Sequence, residues 1–178
     1  MRTVFGLLLV VAIVESIFVF APMRVAPPLA PTAAYRQAKA EALFSASFKQ
    51  FSSAKVDLAP LRGQALLVFF WASWCAECRD EAKALMALRA RHAGDGLAVI
   101  GIGIDQSDQL QRVVREQGID YPVFVAGQDG IELSKKLGNL LGELPFTAAI
   151  DRHGLYAASQ LGKAAPATLD ALAAAALK

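Results

Sequence analysis

The sequence predicts an α/β domain with helices on both faces of a mixed central sheet, preceded by an apolar segment long enough to cross a membrane. Three observations carry that expectation. From residue 65 onward, short wholly apolar runs alternate with amphipathic stretches, the pattern of strands buried on both faces and joined by crossover helices. The last two strand-like runs flank Arg152-His153-Gly154, a hairpin signal that makes the sheet mixed rather than all-parallel. Finally, the 19 residues from Thr3 to Ala21 carry a single charge, Glu15, whereas a bilayer-spanning helix needs about 20 apolar residues.

The N-terminal run is expected to be a signal anchor over residues 1–23. Arg2 precedes it, which favours a cytoplasmic N-terminus, and Arg24 beyond it weakens the asymmetry. Small residues near Ala30–Ala34 leave a cleaved signal peptide as the other reading. Both place the rest of the chain outside the cytoplasm, on the periplasmic or extracytoplasmic side of the inner membrane. Residues 24–50 read as a linker: Pro22–Thr32 holds four of the eight prolines, and Tyr35–Lys49 could form a short helix.

The domain proper is expected over residues 51–178. Ser52–Leu58 would add an edge strand or hairpin. Ala65–Trp71 (ALLVFFW) is a buried strand. Cys75–His92 is a helix, with Ala82, Leu85, Met86 and Leu88 on one face and Gly94 as its stop. Leu97–Ile104 is the second buried strand and Ser107–Gln117 the second helix, ended by Gly118. Tyr121–Val125 is a short strand whose Pro122 suits a strand start or sheet edge. Ile131–Leu137 makes a turn or two of helix, Phe146–Asp151 and Leu155–Leu161 a hairpin, and Ala165–Leu177 a closing helix.

Charge and composition narrow the chemistry. The 178 residues are 55% hydrophobic with a net charge of only +2, and mean hydropathy is +0.40. No basic cluster marks a nucleic-acid surface. Both cysteines fall in one four-residue window, Cys75-Ala76-Glu77-Cys78, so they cannot staple distant loops as a disulfide scaffold would. At a helix start, two cysteines three apart can close a small disulfide. The first meets the unpaired amide groups of the helix N-terminus, which stabilise its thiolate. The second, one turn in, resolves the mixed disulfide. Cys75 is thus the expected nucleophile and Cys78 the resolving cysteine. A zinc site would need a second ligand pair, but the only histidines are His92, roughly 20 Å along the same helix, and His153. Residues Arg79, Asp80 and Glu81 read as a solvated helix face.

The segment Phe70-Trp71-Ala72-Ser73-Trp74-Cys75-Ala76-Glu77-Cys78-Arg79 resembles the active-site segment of thioredoxin-fold proteins. It is most similar to the membrane-anchored, periplasm-facing TlpA- and ResA-like thiol-disulfide oxidoreductases and cytochrome c maturation thioredoxins. Leu58–Gly63 (LAPLRG), the stretch Ser107–Leu137 and the run Gly142-Glu143-Leu144-Pro145-Phe146-Thr147 agree with that branch. The resemblance implies a thioredoxin-like three-layer α/β/α fold. It implies a cis-proline at Pro145 facing the sulfurs, substrate hydrogen bonds from the Leu144 backbone, and Trp74 shaping the docking surface. It implies no cofactor or metal beyond a redox-active Cys75–Cys78 disulfide. The implied partners are a protein carrying a disulfide or dithiol, a membrane thiol electron carrier, and the membrane itself through the N-terminal helix. Direction of electron flow would be reductive, as in cytochrome c or copper-site maturation.

Two departures stand out. Glu77 replaces the proline usual before the second cysteine. Phe69 occupies the position, six residues before the first cysteine, where thioredoxins keep a buried acid. Glu77 is therefore the candidate for proton transfer, although a carboxylate there opposes Cys75 thiolate formation. The alternative class is a non-catalytic module that binds a partner or copper(I), which two thiolates suit, with His153 as the best candidate for a third ligand.

Overall fold

The computed structural model describes residues 30–51 and 54–178. The chain divides between Ala30 and Pro31 into two units. The expected anchor, Thr3–Ala21, lies in the first unit and outside the described residues. Among the described residues no helix is long and apolar enough to cross a membrane.

The second unit, Pro31–Lys178, is organised around strand β3. Its seven residues, Ala65–Trp71, are all buried, as the unbroken apolar run requires. In chain order, the elements before it are helix α1, Ala33–Phe44, and strands β1, Ser47–Lys49, and β2, Lys55–Asp57. After it come α2, Ala76–Arg91; β4, Leu97–Gly103; α3, Ser107–Gln117; β5, Val123–Val125; and α4, Gly127–Lys136. Strands β6, Phe146–Ile150, and β7, Tyr156–Leu161, then precede α5, Pro166–Ala176. The sheet order is β2-β1-β5-β4-β3-β6-β7. Strands β3, β4 and β5 run parallel, and β6, β7 and the β1–β2 hairpin pair antiparallel. This is the thioredoxin-like mixed sheet that the residues suggested.

Alternation along β3 divides the core into two layers. Leu67, Phe69 and Trp71 pack with Cys78, Ala82 and Leu85 of α2 and with residues of α3 and α5. Leu66, Val68 and Phe70 pack on the other face with Leu43 of α1 and Leu133 of α4. A period of two along a strand produces this split directly. Helix α3 lies close to the sheet because Gly103 has no side chain: Leu110 occupies the space a Cβ would fill. Gly118, at φ 66°, ends α3 in the left-handed conformation that glycine adopts without strain.

Several boundaries differ from expectation for local reasons. The compact unit begins at Pro31 rather than at residue 51, because Ala40, Leu43 and Phe44 bury one face of α1 in the core. That helix stops at Phe44, and Ser47–Lys49 turns away to pair with Lys55–Asp57 and, through Lys49, with Val125. Of the expected edge element, residues 52 and 53 lie outside the described residues. Strand β5 starts only at Val123, since Pro122 has no amide to give the ladder, while its carbonyl still accepts from Gly101 N at 2.8 Å. Helix α4 begins earlier than expected, at Gly127.

Register fixes where chemistry can occur. Phe70 of β3 lies opposite Phe146 of β6 in antiparallel pairing. The chain leaving the C-terminal end of β3 toward Cys75 therefore meets the chain entering β6 through Pro145.

Candidate active site

Cys75 stands at the N-cap of α2 with extended backbone, and Cys78 lies in the first turn. The two form a disulfide with Cα atoms 5.2 Å apart. Cys78 N donates to Cys75 Sγ at 3.1 Å, so an amide at the positive end of the helix already points at the first sulfur. Cys75 is nearly buried and Cys78 fully so. Of the two, only Cys75 keeps any exposure, which matches an attacking cysteine followed by a shielded resolving one.

The approach to Cys75 is held in place from the sheet. Ile104 N donates to Trp71 O at 2.8 Å, and the Ser73 hydroxyl donates to Asp105, just beyond β4. Trp71 is fully buried, as a core residue should be, while the neighbouring Trp74 is 71% exposed. Across from the disulfide end of β3, the Leu144–Pro145 peptide is cis. Pro145 O accepts from Gly162 N at 2.9 Å, which ties the turn to the end of β7. Leu144 is half-buried and contacts both core layers.

Glu81 departs from expectation. The sequence suggests a solvated face shared with Arg79 and Asp80, yet Glu81 is 1% exposed. Its Oε1 accepts from Thr147 Oγ1 at 2.7 Å, and its Oε2 accepts from Ala164 N at 2.9 Å. The signal was available in the helix period: Cys78, Glu81, Ala82, Leu85 and Leu88 share the buried face of α2. Arg79 and Asp80 are exposed as expected, and Asp80 pairs with Lys163 at 2.7 Å. Thr147 lies directly opposite Phe69 in the sheet. The acid absent at Phe69 is thus replaced by a carboxyl reaching the same region from α2.

Burial pushes the Glu81 carboxyl above its ordinary range. The Ala164 amide, the Thr147 hydroxyl and the Lys163 charge pull it back, and the Glu77 charge adds to the rise. Burial likewise holds the Tyr121 phenol above its usual range, with the Glu81 charge contributing. Glu77 itself is exposed on the first turn of α2. A buried carboxyl one helical turn beyond Cys78, with both oxygens hydrogen-bonded, can store the proton that the resolving cysteine must lose.

The structure does not bring His153 into this group. It lies in the turn after β6, whereas Pro145 precedes that strand, so histidine and sulfurs sit at opposite ends of the sheet. His92 caps the far end of α2 and bonds Asp95 at 2.8 Å.

Comparison with known proteins agrees with this geometry. The family model described as AhpC/TSA family matches residues 38–158. The thiol-disulfide oxidoreductase ResA of Bacillus thuringiensis (strain Al Hakam) is 26% identical over 110 residues, 61% of this chain and 61% of that protein. The chain thus spans about three fifths of the length of the curated relatives it matches. The thiol:disulfide interchange protein HelX of Rhodobacter capsulatus is 42% identical over 60 residues, 33% of this chain and 32% of that protein. Among solved structures, a thioredoxin family thiol:disulfide interchange protein from Chlorobium tepidum TLS superposes with a TM-score of 0.66. It is 26% identical, over 75% of this chain and 94% of that one.

The raised carboxyl has a consequence for stability. A folded-state value above the unfolded 4.5 means the folded chain binds the extra proton, so stability is fully present below that value and falls as pH rises through the raised one. Glu81→Gln removes this limb and leaves one donor short of an acceptor, at a cost of about 1–3 kcal/mol. Denaturant unfolding at pH 4.5 and pH 8 checks it. The stability lost by the variant is expected to be larger at the lower pH, and a pH-independent difference contradicts the assignment.

Proposed function

The chain belongs to the AhpC/TSA family, and from that footing we propose that it is a thiol–disulfide oxidoreductase acting on polypeptide disulfides through Cys75 and Cys78. The observation that carries the reading is the disulfide at the N-terminus of α2, with the cis-Pro145 turn across from it and the buried Glu81 behind Cys78.

In the reductive direction the Cys75 thiolate attacks one sulfur of the client disulfide. A mixed disulfide forms, and the client's other sulfur leaves as a thiolate and takes a proton from solvent. Cys78 then loses its proton toward Glu81 and attacks Cys75 Sγ. The client's second sulfur leaves and is protonated, and the Cys75–Cys78 disulfide forms. Two electrons and two protons pass to the client, and an external dithiol must return them. A thiol electron carrier in the membrane is the donor we propose. Leu144 offers its backbone to an extended client segment, and Trp74 forms part of the docking surface.

Two carboxyls support reduction over oxidation. A disulfide oxidises others strongly when its reduced, thiolate form is stabilised. Glu77 two residues from Cys75, and Glu81 one turn past Cys78, oppose a thiolate instead and so favour the disulfide of this chain. Glu77, exposed on the first turn, exchanges the Cys75 proton with solvent. The apolar run Thr3–Ala21, with Arg2 ahead of it, supports a single-pass anchor that keeps the domain on the extracytoplasmic side of the inner membrane.

Two variants separate exchange chemistry from simple binding. Cys78→Ser is expected to accumulate a mixed disulfide with a disulfide-bonded peptide, visible by mass spectrometry and released by dithiothreitol, whereas Cys75→Ser is expected to trap none. Equal trapping by both, or by neither, contradicts the assigned roles. Glu77→Gln is expected to lower the pH midpoint of Cys75 alkylation in the reduced chain by about 0.3–0.7 unit, the effect of removing one nearby charge in a wet site. An unmoved midpoint excludes Glu77 from the proton chemistry of Cys75.

A further inference from the structure

The seam between α1 and α4 changes character along its length. At the end where α1 begins, Tyr35 and Lys39 share an open groove with Lys135 and Lys136 of α4, and Leu140 also lines it. At the end where α1 stops, Ser45 and Phe48 line a second groove with Asp129 and Glu132. Lys136 borders both grooves. The basic, apolar end therefore sits beside the point at which the chain enters the domain, and the acidic end lies further along α1.

This first end exposes large apolar side chains and charge together. Among the described residues Leu140 and Leu141 are the most exposed large hydrophobic side chains, at 79% and 77%, and Tyr35 is half exposed. A fixed arch presents the leucines: the buried Asn139 donates Nδ2 to Glu143 O at 2.8 Å, and Gly142 N donates to Asn139 O at 3.0 Å. The arch lies against α4, because a Cβ on Gly142 would meet Ile131 and Lys135. Lys135 pairs with Glu132 at 2.9 Å, whereas Lys136 is exposed and has no carboxylate partner among the described residues. Lys39 donates to Leu137 O at 3.1 Å and lies over the Tyr35 and Tyr156 rings. Leucine and tyrosine bordered by lysine make a surface suited to the boundary between lipid headgroups and acyl chains.

We infer that this end of the α1–α4 face docks on an anionic phospholipid surface, with Leu140 and Leu141 entering the interface and Lys135 and Lys136 meeting headgroups. The inference rests on the single-pass anchor proposed above. Eleven residues, 22–32, separate the apolar run from Ala33, and fully extended they reach at most about 40 Å. An anchored chain therefore holds the first turn of α1 near the bilayer, where lysines gain from anionic lipid. A second copy docked face to face would set lysine against lysine. Docking also leaves the chemistry free, since α1 and α4 cover one face of the sheet and α2, which carries the cysteines, covers the other. The contact fixes the orientation of the domain, where the anchor fixes only its location.

The test inserts the full chain, one per disc, into nanodiscs of phosphatidylcholine alone or with an equal share of phosphatidylglycerol. Lysine acetylation is then followed by mass spectrometry. Lys135 and Lys136 are expected to label about fivefold more slowly in the anionic discs, the shift that one lysine near such a surface provides. Lys55 and Lys83, exposed elsewhere, are expected to keep their rates. Leu140→Ser/Leu141→Ser is expected to restore most of the labelling, with the melting temperature confirming the fold. Equal labelling in both discs, slowing spread over all exposed lysines, or protection that the double variant keeps overturns the inference while the anchor stands. So does protection in detergent that grows with chain concentration, which marks a second copy. Equal protection by polyglutamate added to the zwitterionic discs marks an acidic polypeptide and overturns it too. Release of the chain from both kinds of disc by alkaline carbonate removes the anchor reading, and this inference with it.

Discussion

The carboxyl of Glu81 joins three parts of the chain that meet behind the disulfide. It is carried by α2, accepts from Thr147 on β6, and accepts from Ala164 on the connection between β7 and α5. A buried carboxylate is costly unless its lone pairs are satisfied, and these two donors satisfy one oxygen each. They also fix the distance between the helix that carries the cysteines and the strand that follows Pro145. Gly162 adds a third tie, from the end of β7 to the Pro145 carbonyl. The cysteines and the turn across from them are thereby positioned by one polar junction set in an otherwise apolar layer.

That junction also sets the electrostatics. The helix N-terminus and the Cys78 amide favour negative charge on the first sulfur, while the acids at 77 and 81 oppose it. Helix charge is a partial one that fades within a turn, whereas each carboxylate bears a full charge. The exposed Glu77 is weakened by water, whereas the buried Glu81 is screened less. This is the physical basis for assigning the pair to the reducing side.

Most of the scaffold could be read from periodicity. The unbroken apolar runs at 65–71 and 97–103 became the paired central strands, and the glycine at 118 ended α3 as its position suggested. Local chemistry was legible at Cys75-Ala76-Glu77-Cys78 because helix start and sulfur spacing coincide. What escaped reading depended on contacts far apart in sequence. The buried position of Glu81 follows from the helix period, but its partners lie 66 and 83 residues away, and nothing in a local window announces them. Helix α1 looked like linker because three buried residues in twelve are a thin apolar stripe, which becomes core only where α4 and β3 supply the opposite wall.

The most direct test of the central claim is a redox titration of the full chain, followed by tryptophan fluorescence in graded dithiothreitol or glutathione buffers. The account requires a reversible two-electron transition of Cys75 and Cys78 on the reducing side, near the value of about −270 mV typical of thioredoxin. A transition near −120 mV, the region of strong disulfide donors, would contradict the direction assigned here. The absence of any reversible transition would contradict the exchange chemistry itself.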